Sequence, residues 1–201
     1  MAELYLIRHG QTAWNKEERI QGTEDVPLDE TGVAQAGGLV GRLRGVRLRA
    51  VYASPLRRAM QTAQPLAAAA GLTVQADPRL MERNWGVYQG TTRIEAARRH
   101  PQVEEELRRT PRAARPPGGE SYDDLRLRVD AALREIAASG PGPVAVVCHG
   151  GTIAAGLQAL LGMTGWPRIR FVIYNASVSL VEFTPRGEVI AHYVNRCDVG
   201  A

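Results

Sequence analysis

The chain has 201 residues, 44% hydrophobic and 23% charged, which suits an ordinary globular protein with one large core. No apolar run is long enough to cross a bilayer, the opening MAELYLIRHG lacks the features of a signal peptide, and two cysteines, Cys148 and Cys197, make no disulfide framework, so a cytoplasmic location is expected. The net charge is +4, but Lys16 is the only lysine and the arginines are scattered without interleaved aromatics, a solvated surface that draws small anions rather than a nucleic-acid face.

In chain order, Leu4 to Ile7 reads as a first buried strand. In DETGVAQAGGLVGRLRG, Val33, Ala36, Val40 and Leu43 recur at steps of three and four, the spacing of one helix face. Ala50 to Ala53 reads as a second strand. Ser54-Pro55 then reads as a helix start, with serine at the cap and proline at the first helical position. Between Gly90 and Gly119 the chain is charged, is broken by Pro101 and Pro111, and closes with ARPPGGE. We read about 91–119 as a small, partly helical insertion, either a lid or a plain surface excursion. In SYDDLRLRVDAALREIAAS, Tyr122, Leu125, Val129, Leu133 and Ile136 share a face, and Ser121 with Asp124 has the spacing of a capping box. Val144 to Cys148 is apolar throughout, as in a strand covered on both faces. The helix TIAAGLQALLG follows, then strands at Ser177 to Phe183 and, less clearly alternating, Val189 to Val194. Strands alternating with helices predict an α/β fold. The expected form is a three-layer domain with a mostly parallel central sheet flanked by helices, and with the insertion over the carboxyl ends of the strands.

Those carboxyl ends are where open α/β sheets bind ligands. The first strand ends at Arg8-His9-Gly10, the second leads to Arg57 and Arg58, and the third ends at Cys148-His149-Gly150-Gly151. Three strands therefore deliver imidazoles and guanidiniums to one edge of the sheet. The glycines let backbone approach a ligand closely. The helix starts after Ser54 and Gly151 are expected to offer unpaired N–H groups. Such a pocket suits a phosphate dianion.

Three chemistries compete for it. A Cys148–His149 nucleophile pair fails, because neighbours on a strand point to opposite faces. A metal held by His9, His149 and a carboxylate has suitable ligand types, but the arginines would repel a dication. Covalent catalysis by His9 on phosphorus remains, since neighbouring arginines disfavour the imidazolium and keep the ring nucleophilic.

The segment LIRHGQTAWN resembles the signature of the histidine phosphatase superfamily, the phosphoglycerate-mutase-like enzymes. Further segments resemble that family in order: RIQGTEDVPLDETGVAQA, VYASPLRRAMQTA, LMERNWGVYQG, GGESYDDLRLRV and VVCHGGTI. The resemblance implies a single histidine phosphatase domain over 1–201. It implies His9 as phosphoryl acceptor, with Arg8, Arg58 and His149 holding phosphate oxygens and Glu82 as general acid and base. Asn15 and the backbone of Gly10 and Gly150 would line the phosphate site, with Gln21 and Gly22 beside the substrate. The family position, not the spacing, favours Arg58 over Arg57 and singles out Glu82, which lies near Trp85 and Tyr88 in the sequence. No metal or other cofactor is expected. The expected partner is a small-molecule phosphate ester, with no nucleic acid, no membrane and at most a second copy of the chain in a homodimer.

Family mutases carry a longer insertion after the acidic motif, with basic residues that grip the substrate's acid group. Here the run after Gly90 is short and lacks lysine, so the resemblance implies a phosphomonoester hydrolase. The alternatives are a bisphosphoglycerate-dependent phosphoglycerate mutase and a non-catalytic phosphoryl-binding module. Tyr88 and Gln89 stand where many relatives have Trp and Glu, at positions that would shape the pocket mouth.

Overall fold

The structure is a computed structural model, and it describes residues 1–163 and 171–197. Its centre is a six-stranded sheet in the order β3-β2-β4-β1-β5-β6. The strands are β1 (Ala2–Arg8), β2 (Ala50–Ala53), β3 (Val74–Ala76), β4 (Gly142–Cys148), β5 (Val178–Phe183) and β6 (Val189–Arg196). The first four run parallel, while β5 and β6 add on antiparallel beyond β1. The helices are α1 (Ala13–Lys16), α2 (Glu30–Arg42), α3 (Arg57–Ala70), α4 (Arg93–Arg99), α5 (Pro101–Arg109), α6 (Tyr122–Ala138) and α7 (Gly150–Leu160). This is the expected three-layer α/β arrangement, and α4 and α5 supply the helical part of the insertion.

The apolar runs divide by parity, as a strand's alternation requires. Leu4 and Leu6 of β1 join Val144, Val146 and Cys148 of β4 in a core with α6 and α7. Tyr5 and Ile7 join Ala145 and Val147 in a second core with α2 and α3. A run with no polar gap is thus two half-cores sharing one backbone.

This layering fixes the place of the site. Strands β1 and β4 are parallel neighbours, with Arg8 paired to Cys148. The helix after β1 that enters a core, α2, lies on one face, and α7, after β4, lies on the other. The crevice between two such strand ends is the switch point at which doubly wound sheets bind ligands. His9 and His149 are the residues that directly follow these two strands.

Several local expectations need correction. Ser54 is not a helix cap: α3 starts at Arg57 behind Leu56, with no side-chain cap. In α2, Ala36 and Leu39 are the buried apolar residues, joined by Leu43 just after the helix, whereas Val33 is 56% exposed. Helix α7 begins at Gly150, two residues earlier than the pattern TIAAGLQALLG implied. The short strand β3 was not anticipated. The Ser121–Asp124 capping box is present, with the hydroxyl accepting from the Asp124 N–H and the carboxylate from the Ser121 N–H.

Candidate active site

His9 leaves the end of β1 with its N–H donated to the Cys148 carbonyl (2.9 Å). Its ring is 3% exposed, and its Nδ1 lies 2.7 Å from the carbonyl oxygen of Gly10. A carbonyl only accepts, so Nδ1 carries the hydrogen and Nε2 of the neutral ring keeps a lone pair. Burial, then the charges of Arg8 and Arg58, hold its pKa well below 6.5. Asn175, just before β5, donates its Nδ2 to the carbonyls of His9 (3.1 Å) and Gly10 (3.2 Å) and to Asn15 Oδ1 (3.2 Å).

The His149 ring is fully buried, with its centroid 5.1 Å from that of His9. Its Nδ1 accepts from Arg58 Nε (3.2 Å). The remaining nitrogen, Nε2, therefore bears the hydrogen and donates to Ser54 Oγ (2.8 Å). Burial, followed by the charges of Arg58, His9 and Arg8, pushes its pKa well down. Both imidazoles are thus neutral rings of fixed tautomer.

Arg58, in the first turn of α3, is 1% exposed. Besides His149 it donates to the carbonyls of Glu24 (2.6 Å) and Gly22 (2.8 Å). Burial lowers its pKa to about 10. It stays a cation at neutral pH, bonded to neutral acceptors. Arg57 lies on the exposed side of the helix, as expected. Arg8 gives one terminal nitrogen to the Ile173 carbonyl, while its Nε is buried without a partner. That donor matches the need of an arriving phosphate oxygen.

Glu82 follows the 3₁₀ turn Pro78–Leu80. One carboxylate oxygen accepts from its neighbour's N–H, that of Arg83 (2.8 Å), and the other from the N–H of Gly151 (2.9 Å). A Cβ at Gly151 would stand 2.4 Å from Oε1, so only glycine allows this approach. The carboxylate adds its charge to the field at both Arg8 and Arg58. Trp85 and Tyr88 stack on each other, and the Arg83 guanidinium lies over Trp85 at 4.2 Å.

The remaining expected residues divide. Asn15 commits its amide oxygen to Thr12 and Asn175, which leaves its NH₂ group to offer. Gln21 is 8% exposed, with a buried Oε1 that has no partner. Gly22 contributes a carbonyl to Arg58. Gly10 is already spent on structure: its N–H goes to Thr62 Oγ1 (3.0 Å) and its carbonyl to His9 and Asn175. Gly150 runs along Arg8, whose Nε would lie 3.4 Å from a Cβ there. One of the anticipated helix-start donors is already engaged at each helix. At α3 the Arg57 N–H is taken by Asp25 (2.7 Å), and at α7 the Gly151 N–H is taken by Glu82.

Ser54, Thr62, Asp25 and Asn175 were missed by sequence reasoning. Ser54 follows the end of β2 and meets His149, Thr62 bonds both Gly10 and Arg58, Asp25 takes the Arg57 N–H, and Asn175 reaches His9, Gly10 and Asn15. Two had a signal: Thr62, at four residues beyond Arg58 on one helix face, and Ser54, at the carboxyl end of the second strand. Among the described residues, no group of three or more His, Cys, Asp or Glu side chains could hold a metal ion. Between the insertion and α7 lies a cavity of about 680 Å³ lined by Arg83, the residue after Glu82, and by Trp85, Arg93, Tyr122 and Phe171, among others. No described helix is long and apolar enough to cross a membrane.

A neutral imidazole with a free ring nitrogen, beside two buried guanidiniums and a carboxyl, defines an enzyme of phosphoryl transfer. The chain belongs to the histidine phosphatase superfamily (branch 1), whose model matches residues 4–196. It is 36% identical over 185 residues to a probable phosphoglycerate mutase GpmB of Yersinia pestis, covering 91% of this chain and 86% of that one. Among solved structures it resembles YhfR of Bacillus stearothermophilus, with TM-score 0.86, 29% identity and 98% of each chain covered. It also resembles a mycobacterial glucosyl-3-phosphoglycerate phosphatase solved with VO3, with TM-score 0.85, 33% identity, and 96% and 98% of the two chains covered.

Proposed function

We propose that the chain hydrolyses phosphomonoesters of small metabolites through a phosphohistidine at His9. The observation that carries this reading is the pairing of His9 Nδ1 with the Gly10 carbonyl, which leaves Nε2 as a buried, unprotonated nucleophile. Nε2 attacks phosphorus in line with the ester oxygen, and the P–O bond breaks as the P–N bond forms. Protonated Glu82 gives its proton to the departing alkoxide. The resulting carboxylate takes a proton from water, whose oxygen bonds phosphorus as the P–N bond breaks. Phosphate leaves, and His9 returns to its neutral form. Arg8 and Arg58 balance charge on the equatorial oxygens, and losing one such preorganised donor costs about 3 to 4 kcal/mol in the transition state. His149 orients Arg58 through its Nδ1, and reaches phosphate itself only if that bond or the Ser54 bond is shared. The cavity beside Arg83 and Trp85 takes the alcohol part of the ester. We place the enzyme in the cytoplasm as one domain, with the 91–119 insertion forming a wall of that cavity.

Rapid acid-free quenching during turnover, followed by mass spectrometry, tests the reading. An acid-labile phosphoryl group is expected on His9, and His9→Ala is expected to abolish both adduct and turnover. An adduct on another residue overturns it. One observation favours a second reading: the relative from Yersinia pestis is named a probable phosphoglycerate mutase. With 3-phosphoglycerate, release of free phosphate supports the hydrolase, whereas 2-phosphoglycerate formed without it supports the mutase.

A further inference from the structure

The Glu82 carboxylate is only as well placed as the backbone that carries it, and that backbone is held mainly by Arg128 on α6, with Thr152 Oγ1 of α7 adding one bond to the Met81 carbonyl (3.0 Å). Arg128 uses all five N–H groups of its guanidinium. One terminal nitrogen donates to the carbonyls of Arg79 and Met81 (2.7 Å each). The other donates to the Glu82 carbonyl (3.0 Å) and to Glu120 Oε1, and Nε donates to Glu120 Oε2 (3.1 Å). Glu120 in turn accepts the Asn84 N–H (3.0 Å), and its own N–H donates to the Asn84 carbonyl (3.0 Å). Residues 79 to 84 are thereby held on both sides of Glu82 by one ion pair. That pair is largely enclosed, with 23% and 18% of its side chains exposed.

We propose that Arg128, seated by Glu120, is the positioning residue for the Glu82 carboxyl and sets its reach to the leaving oxygen. The proposal rests on the reading of Glu82 as proton donor given above. A planar fork that spans three carbonyls fixes their separation, whereas a lysine supplies the charge without the spacing. Misplacing a catalytic group by about 1 Å costs about 10²-fold in rate. An aryloxide departs without a proton and is indifferent to that reach. An alkoxide is not.

The experiment measures kcat and KM of wild type, Arg128→Lys, Glu82→Gln and the double variant on p-nitrophenyl phosphate and on glycerol phosphate. Glu82→Gln is expected to lower kcat on the alkyl ester by about 10²-fold or more and on the aryl ester far less. Arg128→Lys is expected to lower kcat on the alkyl ester by about tenfold or more, with the aryl ester changed less than about threefold and KM little altered. The double variant should be no slower on the alkyl ester than Glu82→Gln alone. Equal losses on both esters in Arg128→Lys, or no loss on either, overturn the proposal and leave Arg128 a purely structural residue. Equal losses in Glu82→Gln overturn the acid role itself, and this proposal with it. If Arg128→Lys does not fold, Glu120→Gln replaces it: the fork loosens while an amide oxygen still receives Asn84, and the same ester ratio is read.

Discussion

At the scale of single residues, the site depends on which nitrogen of each imidazole bears a hydrogen. The chain sets this with two acceptors, the Gly10 carbonyl for His9 and Ser54 Oγ for His149. Both rings are neutral in the fold, chiefly through burial. In the unfolded chain each would take up a proton as pH falls through about 6.5. Below that point the unfolded state binds more protons than the native state, so acidification destabilises the fold. The slope is about 1.4 kcal/mol per pH unit for each ring, down to its depressed native pKa. Above about pH 7 the two rings contribute no pH dependence. Thermal melts between pH 8 and 5 should therefore show a flat Tm that falls below neutrality, and a Tm that rises on acidification contradicts the assignment. For the same reason, the acid limb of kcat/KM belongs below the range of a free imidazole.

At the scale of elements, the loop after β1 and the start of α2 meet backbone to backbone. A Cβ at Gly32 would lie 2.0 Å from the Gln11 carbonyl oxygen, and one at Gly10 would lie 2.5 Å from the Gly32 carbonyl oxygen. Neither neighbour is a flexible side-chain end. Gly32→Ala should cost about 1 to 3 kcal/mol and lower kcat, because His9 rides on the loop that must move. Calorimetry together with turnover checks this, and unchanged values for both would mean the contact is easily relieved. The long elements were legible because burial writes a pattern into them: VAVVC suited a strand covered on both faces, and α6 showed its stripe. Strand β3 was not legible, since its three residues pair with β2 at the sheet edge and Gln75 and Ala76 face solvent. Ser54 misled for a related reason. A serine before a helix can cap it or serve a distant ring, and only the arrival of β4 beside β2 decides.

At the scale of the whole molecule, His9, His149 and Arg58 were legible because the order of strands brings their ends together. The residues that hold the site in place were not, since Asn175 and Arg128 reach carbonyls 166 and 46 positions away in the chain. The net charge of +4 also belongs to this scale. A dianionic ester approaches a field that salt shortens from about 30 Å at 0.01 M to about 8 Å at 0.15 M. We expect kcat/KM to fall over that range while kcat changes little, and steady-state kinetics at fixed pH measure both. Insensitivity of kcat/KM to salt would leave the local guanidiniums as the whole source of attraction.

Cys148 sits fully buried one residue before the second imidazole, and burial pushes its thiol pKa far up. Cys197 is the exposed sulfur. Under the reading proposed here, no thiolate takes part in turnover. Hydrogen peroxide or iodoacetamide should therefore modify Cys197 while phosphate release continues undiminished. Phosphate removal by this protein would thus persist under oxidative stress that silences enzymes built on a reactive sulfur.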